Sequence, residues 1–413
     1  MPFKSSYDAV STVRYTEYPD GSQRVLAIDA LRGFDMFWIV GGGAIVGALS
    51  KVGDVPLVEA IRNQLTHVGW EGFRFYDMIF PLFVFIAGVS AVFSLNKARE
   101  TGGEARAARR LLVRGLLLFF VGVFYSGGIS QGLDGVRWLG VLQRIALSYT
   151  AAGLLYLYIP WKYLIGVAVA ILIGYWLLLT QSQVRNIQLD SENIRVLSAR
   201  AGLTNNPAQT LFNTTTARIK GPMQPGLNVV NHFDFQHLPG RRYDTYYDPE
   251  GILSTIPAVA TCLLGIFAGL ILANPNMAIG GKTSWLVLLG CCCVIGGFSW
   301  GYFFPIVKKL WTSSFVLVAG GFSYFFLAAF HHLIDVLRWR SWASPFVWIG
   351  TNALPIYIIT SLGLWRTISE RIFGGPIAEF CGKAGPLVVT AGSLLMMFLF
   401  ARFLYRRGIF FRL

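Results

Sequence analysis

Charge and cysteine are both scarce in this chain. Asp, Glu, Lys and Arg supply only 14% of its 413 residues, too few to cover a folded surface that faces water on every side. Five cysteines, three of them adjacent at Cys291, Cys292 and Cys293, fit neither a disulfide framework nor any usual zinc spacing, so they read as small packing residues and no metal is expected. The first two dozen residues carry Asp8, Glu17 and Asp20 and lack the basic, apolar and small-residue order of a secretory leader. No repeat of fixed period and no inverted pair of interrupted helices stands out, which weakens a transporter reading.

Apolar residues are abundant instead. They make up 54% of the chain, with a mean hydropathy of +0.54. Crossing the hydrocarbon takes roughly 20 such residues in a helix, and ten runs approach that length: 25–49, 75–95, 111–125, 138–158, 163–179, 252–273, 284–304, 311–337, 345–364 and 386–405. The fold class expected is all-α, a polytopic membrane bundle of about ten transmembrane helices with one larger external loop. The third run is short and is expected to begin within 109–114, its basic side chains reaching back to the interface. The domains follow as a cytoplasmic segment (1–24), helices 1–5 (25–180), an extracytoplasmic loop (181–250) and helices 6–10 (251–413).

Orientation comes from the basic residues, which accumulate on the cytoplasmic side of short loops. Lys97, Arg99, Arg106, Arg109, Arg110 and Arg114 put the segment after the second run inside, and counting from it places both termini there with Arg338, Arg340, Arg406 and Arg412. Lys308 and Lys309 fall outside and are the one disagreement. The net charge of +14 is then a topology signal and an attraction for anionic lipid, not a nucleic-acid footprint.

An ionisable side chain left in lipid costs at least roughly 2.5–3.5 kcal/mol, so those within the runs are functional hypotheses by default. They sort into two layers. The outer layer holds His67, Trp70, Asp77, Gln143, Arg144, Asp248 and Glu250; the inner layer holds Asp29, Arg32, Arg114, Asp335 and Asn352, with Asp35 between. Structural readings stand beside the functional ones: Asp77 paired with Arg144, Glu250 capping a helix, and Asp29 neutralising Arg32 three residues on. His67 is the histidine close to the carboxylates, and such a neighbour fixes its tautomer and raises its basicity, as a general base requires. His331 and His332 point about 100° apart and do not share a metal. His232 and His237 read as surface residues.

Several stretches resemble one family. "AIDALRGFDMFWI", "HVGWEGFRFYDMIFPLFVFIAGVS", "GVLQRIALSY", "YDPEGILSTIPAVATCLLGIFAG" and "TNALPIY" are similar, in that order, to heparan-alpha-glucosaminide N-acetyltransferases, polytopic enzymes that acetylate an amino sugar across a membrane. The resemblance implies that His67 is catalytic, that cytosolic acetyl-coenzyme A is the co-substrate, and that the acceptor is an amino sugar on the far side. His67 then acts as general base or as acetyl carrier, with Asp77 as its helper. Trp70, Gln143, Arg144, Asp248 and Glu250 would bind the acceptor, and Asp29, Arg32, Arg114 and Asn352 the donor. The lack of the large N-terminal portion of the animal enzymes implies a bacterial inner-membrane member, with a homodimer left open. The chain departs from those enzymes at "IVGGGA", where they carry an asparagine. A proton-coupled secondary transporter of a small polar solute is the alternative from another class, since buried charges also mark ion pathways.

Overall fold

A computed structural model describes residues 16–17, 23–51, 56–130 and 132–411. Most of the 1–24 segment, with Asp8 and Asp20, and also Arg412 lie outside the described residues. The described residues are mostly helical, 73% of them. Among the described residues, six helical stretches are long and apolar enough to cross a membrane.

The elements that position the polar layers are α1 (Leu26–Leu49), α2 (Pro56–Gln64), α3 (Phe75–Tyr125), α4 (Val141–Tyr158) and α5 (Trp161–Gln181). After a folded segment containing α6 (Ser191–Arg200), α7 (Pro207–Thr214) and α8 (Val229–His237), the chain continues through α9 (Thr255–Ala273), α10 (Ile279–Gly301) and α11 (Ser313–His331). The last part comprises α12 (Ser344–Thr351), α13 (Ala353–Ser361), α14 (Leu364–Phe373), α15 (Pro376–Phe380) and α16 (Gly385–Arg406).

Three expected runs differ in extent from what forms. The second and third are separate helices, as expected, but both are longer: the basic stretch read as a loop is itself helical except at Gly102 and Gly103, where the two halves of α3 meet. Gly103 has φ +75, which a side chain would resist, and there the helix breaks. Beyond the break the chain doubles back, so that Ala91, Leu95 and Ala98 share a buried cluster with Ala107, Ala108 and Leu111. The ninth run is not one helix: it breaks at Asn352 into α12 and α13. Asn352 is buried, has a non-helical backbone (φ -130, ψ 37) and uses its side chain on the tail, donating to Ile409 O at 2.9 Å and accepting from Phe411 N at 3.0 Å.

Glycines set the closest helix contacts. A Cβ on Gly33 would strike the backbone at Phe346, and one on Gly350 would strike the carbonyl of Asp29, so α1 and α12 cross backbone to backbone. Gly88, Gly265 and Gly269 do the same for the first half of α3 and α9, which run parallel, residues 85 and 89 lying against 265 and 269. The second half of α3 runs antiparallel to α4, with Gly115 against Thr150 and Gly122 against Gln143.

The segment between α5 and α9 is folded rather than loose. Its short strands Gln183–Arg185 and Arg218–Lys220 pair antiparallel, and Ile187, Leu189, Ile194, Phe212 and Phe235 form a small core. His232 is buried there, not on the surface as the sequence reading had it. Its Nε2 reaches the carbonyls of Ile187 and Gly226 at 3.0 and 3.1 Å, and burial lowers its pKa, so it serves the segment as a neutral donor. Trp70 Nε1 ties the segment to the bundle through Met223 O at 2.7 Å, and Lys309 ties it through Asp244 at 2.7 Å.

Candidate active site

The chain from α2 to α3 is held by its own side chains. Gln64 Oε1 accepts from Phe75 N, and the Arg74 guanidinium reaches Thr66 Oγ1 at 3.0 Å, which closes residues 64–75 into a compact turn. Gly72, at φ +122, allows the chain to reverse, and its N–H bonds Ile306 O at 2.9 Å while Glu71 bridges Val307. The loop before α11 is thereby fixed beside His67.

Asp77 sits in the first turn of α3, where unsatisfied N–H groups favour a carboxylate. Its Oδ2 accepts from Arg74 N at 3.2 Å and Val68 N at 3.3 Å; its Oδ1 lies 2.7 Å from His67 Nδ1. With acceptors alone on the carboxylate, Nδ1 carries the proton, leaving the Nε2 lone pair free. Asp77 is fully buried while the imidazole is 52% exposed. Tyr76 packs on the ring, centroids 4.8 Å apart.

Sequence reading missed the third member of this group. Lys308 Nζ is 3.1 Å from His67 Nδ1, 3.4 Å from Nε2 and 3.6 Å from Asp77 Oδ1. Distances so nearly equal put the ammonium over the ring rather than on the lone-pair axis of either nitrogen. Burial pulls Lys308 down to about 8, against the opposing pull of Asp77 and Glu250. Its signal in the sequence was the exception to the charge rule for loops.

A second cluster adjoins the entry to α9. Arg137, also missed, donates Nε to Asp248 at 2.9 Å and Nη2 to Asp248 at 2.7 Å and Glu250 at 2.8 Å. Burial opposes the charge on Arg137, but the hydrogen bonds and charge of Asp248 and Glu250 outweigh it and raise its pKa. Burial likewise pushes the Glu250 carboxyl up, partly offset by Arg144 and Arg137. Arg144 does not meet Asp77: it donates to Pro249 O at 2.8 Å and to Ser254 Oγ, and stacks 4.8 Å over Trp311. Gln143 supports the Arg137 carbonyl at 3.3 Å. Glu250 thus pairs with Arg137 rather than serving only as a helix cap.

The opposite end of the bundle holds the other layer. Arg32 bonds Asp29 Oδ1 at 2.7 Å, Ser90 Oγ at 2.6 Å and Gly350 O at 3.4 Å, so it joins α1, α3 and α12. Arg114 lies over Tyr149 at 5.3 Å, on the α3–α4 side. Gly42 meets Tyr76 while Arg32 meets Ser90, so α1 and α3 are antiparallel. The fourteen helical steps from Tyr76 to Ser90 separate the two layers by about 20 Å at 1.5 Å per residue. Asp35 is fully buried between them.

Residues 24–204 match the family model described as "Heparan-alpha-glucosaminide N-acetyltransferase, catalytic". That stretch contains α1 through α6, with His67, Asp77, Arg32, Arg114 and Arg137. The chain is 26% identical over 336 residues to heparan-alpha-glucosaminide N-acetyltransferase of Homo sapiens, covering 71% of this chain and 48% of that protein. Against the Mus musculus protein of the same name it is 26% identical over 332 residues, with the same coverage. The chain thus spans about half the length of the curated relatives it matches. Among the described residues no group of His, Cys, Asp and Glu could hold a metal ion.

Proposed function

We propose that this protein is a membrane acetyltransferase that moves an acetyl group from acetyl-coenzyme A to the amine of a glucosamine-type sugar. The observation that carries the reading is the His67–Asp77 pair, a half-exposed imidazole whose Nδ1 is held by a buried carboxylate. Its likeness to the heparan-alpha-glucosaminide N-acetyltransferases supports the substrate class.

In this reading the acceptor, as its free amine, attacks the thioester carbonyl while His67 Nε2 takes its proton; the carbon–sulfur bond breaks and the imidazolium returns that proton to the departing thiolate. A positioned base contributes typically about 10²–10⁴-fold. Asp77 keeps the proton on Nδ1 and stabilises the imidazolium as it forms. Glu250, Asp248, Trp70, Gln143 and Arg144 shape the acceptor side, Asp248 and Glu250 through Arg137. Phosphates are costly at the bilayer centre, so the nucleotide stays at the far mouth, near Arg32, Asp29, Arg114 and Asn352, while the acyl arm spans the interval of about 20 Å estimated from helical rise. Basic residues at 97–114 and 402–407 support a cytoplasmic donor side, with both termini there and the α5–α9 segment opposite.

The test is acetyl transfer by detergent-purified protein from labelled acetyl-coenzyme A to a panel of amino sugars. We expect saturable N-acetylation, reduced by about 10²–10⁴-fold in His67→Ala. Transfer at an undiminished rate in a folded His67→Ala protein removes the assignment. Solute flux without consumption of acetyl-coenzyme A would instead identify a transporter.

A further inference from the structure

The amine of Lys308 lies against the face of the proposed base. Its Nζ is within hydrogen-bond distance of His67 Nε2, at 3.4 Å, and of Nδ1, at 3.1 Å. Because the side chain is flexible, a rotamer change carries Nζ from the ring face to the Nε2 lone pair, where a thioester open to an acceptor nitrogen would be open to this one as well. Lys308 is not placed there by chance of a mobile loop: Gly72 N bonds Ile306 O, Glu71 bridges Val307, and Val307 N bonds Thr312 Oγ1 at 3.1 Å.

We propose that Lys308 is itself an acetylation site of this enzyme, modified in cis by the acyl thioester when no acceptor sugar occupies the site. The inference rests on the acetyl-transfer reading and adds a self-modification to it. The ammonium first releases one proton. The free amine then forms a bond to the acetyl carbon, the carbon–sulfur bond breaks, and the second amine proton passes through His67 Nε2 to the departing thiolate. The products are acetyl-lysine, free thiol and one released proton, and His67 returns to its starting state.

The modification has a defined consequence. An acetylated Lys308 loses its charge, so the contact with Asp77 at 3.6 Å is no longer an ion pair, and the added acyl group fills the space beside His67. Accumulated donor without acceptor would thus switch the site off. The charges facing Lys308 are His67, Asp77 and Glu250. With the amine titrating at about 8, labelling should rise as pH passes from 7 to 9.

Lys309 is an internal control. It is next in sequence, pairs with Asp244 at 2.7 Å and is more exposed, 38% against 19% for Lys308. Unassisted chemical acetylation would favour Lys309; acetylation assisted by His67 would favour Lys308.

The experiment incubates the full-length protein in detergent with isotope-labelled acetyl-coenzyme A, with and without glucosamine, and maps the label by peptide mass spectrometry. We expect label on Lys308 at least tenfold above Lys309, protection by saturating glucosamine, and loss of the Lys308 label by about 10²-fold in His67→Ala. The wild-type comparison of the two lysines and the protection by sugar need no variant to fold. Label spread equally over both lysines, or equal Lys308 labelling in folded His67→Ala, overturns the proposal. Acetylated glucosamine in the arm with sugar, together with unlabelled Lys308 in the arm without it, overturns the proposal while leaving the enzymatic reading intact. Failure of both overturns both.

Discussion

His67 Nδ1 and Asp77 Oδ1 are 2.7 Å apart, yet one side chain is 52% exposed and the other fully buried. The carboxylate spends its second oxygen on two backbone amides at the start of α3. It is therefore anchored to the helix, and the imidazole takes its orientation from it.

Asp77→Asn should break that orientation with little change in volume. The amide can present its N–H to Nδ1, which moves the ring proton to Nε2 and removes the base. We expect kcat to fall by about 10²–10⁴-fold with the acceptor KM nearly unchanged. Steady-state kinetics check this, and a loss of less than threefold would refute the role.

Arg114→Gln should weaken donor binding. A charge-assisted hydrogen bond contributes about 1.5–3 kcal/mol, so the KM for acetyl-coenzyme A should rise roughly tenfold to a hundredfold. Since Arg114 lies over Tyr149 rather than beside His67, kcat should hold. An unaltered donor KM would remove Arg114 from the donor site.

Arg137→Met leaves Asp248 and Glu250 side by side without their shared cation. Removing one partner of a buried ionic group costs on the order of 3–5 kcal/mol. The melting temperature in detergent should drop, and adding Glu250→Gln should recover part of the loss. Equal melting of Arg137→Met and the parent chain would contradict the clustering.

Asp234 gives the α5–α9 segment a pH dependence. Burial pushes its carboxyl up from the ordinary 3.8 to about 6, while its Oδ1 accepts from Ile252 N. The folded state holds this proton more tightly than the unfolded one. Its contribution is therefore full below about pH 4 and is lost as pH rises through 6, a swing on the order of 2–3 kcal/mol. Asp234→Asn should flatten this part of the melting-temperature profile between pH 4 and 7. A wild-type slope unchanged in the variant would exclude Asp234 as its source.

The sequence made the helical class, the two polar layers and the His67–Asp77 neighbourhood legible, because apolar length and isolated charges are local signals. Contacts set by tertiary crossing were not. Arg137 and Lys308 lie in loops, where charge is ordinary, and it is the contacts of Gly72 with Ile306 and of Glu71 with Val307 that bring Lys308 to the imidazole. The break at Asn352 was hidden for a related reason. "TNALPIY" is apolar enough to read as uninterrupted helix, and what favours the turn is the tail returning to bond the amide.

The α5–α9 segment is fastened to the helices at several separate points, through Trp70 to Met223, Arg137 to Asp248 and Glu250, and Lys309 to Asp244. A roof bolted at three corners does not swing. Under the proposed function, access of an acceptor to the half-exposed His67 ring would be set by rotamer changes of the side chains around it rather than by the hinge motion of the whole segment.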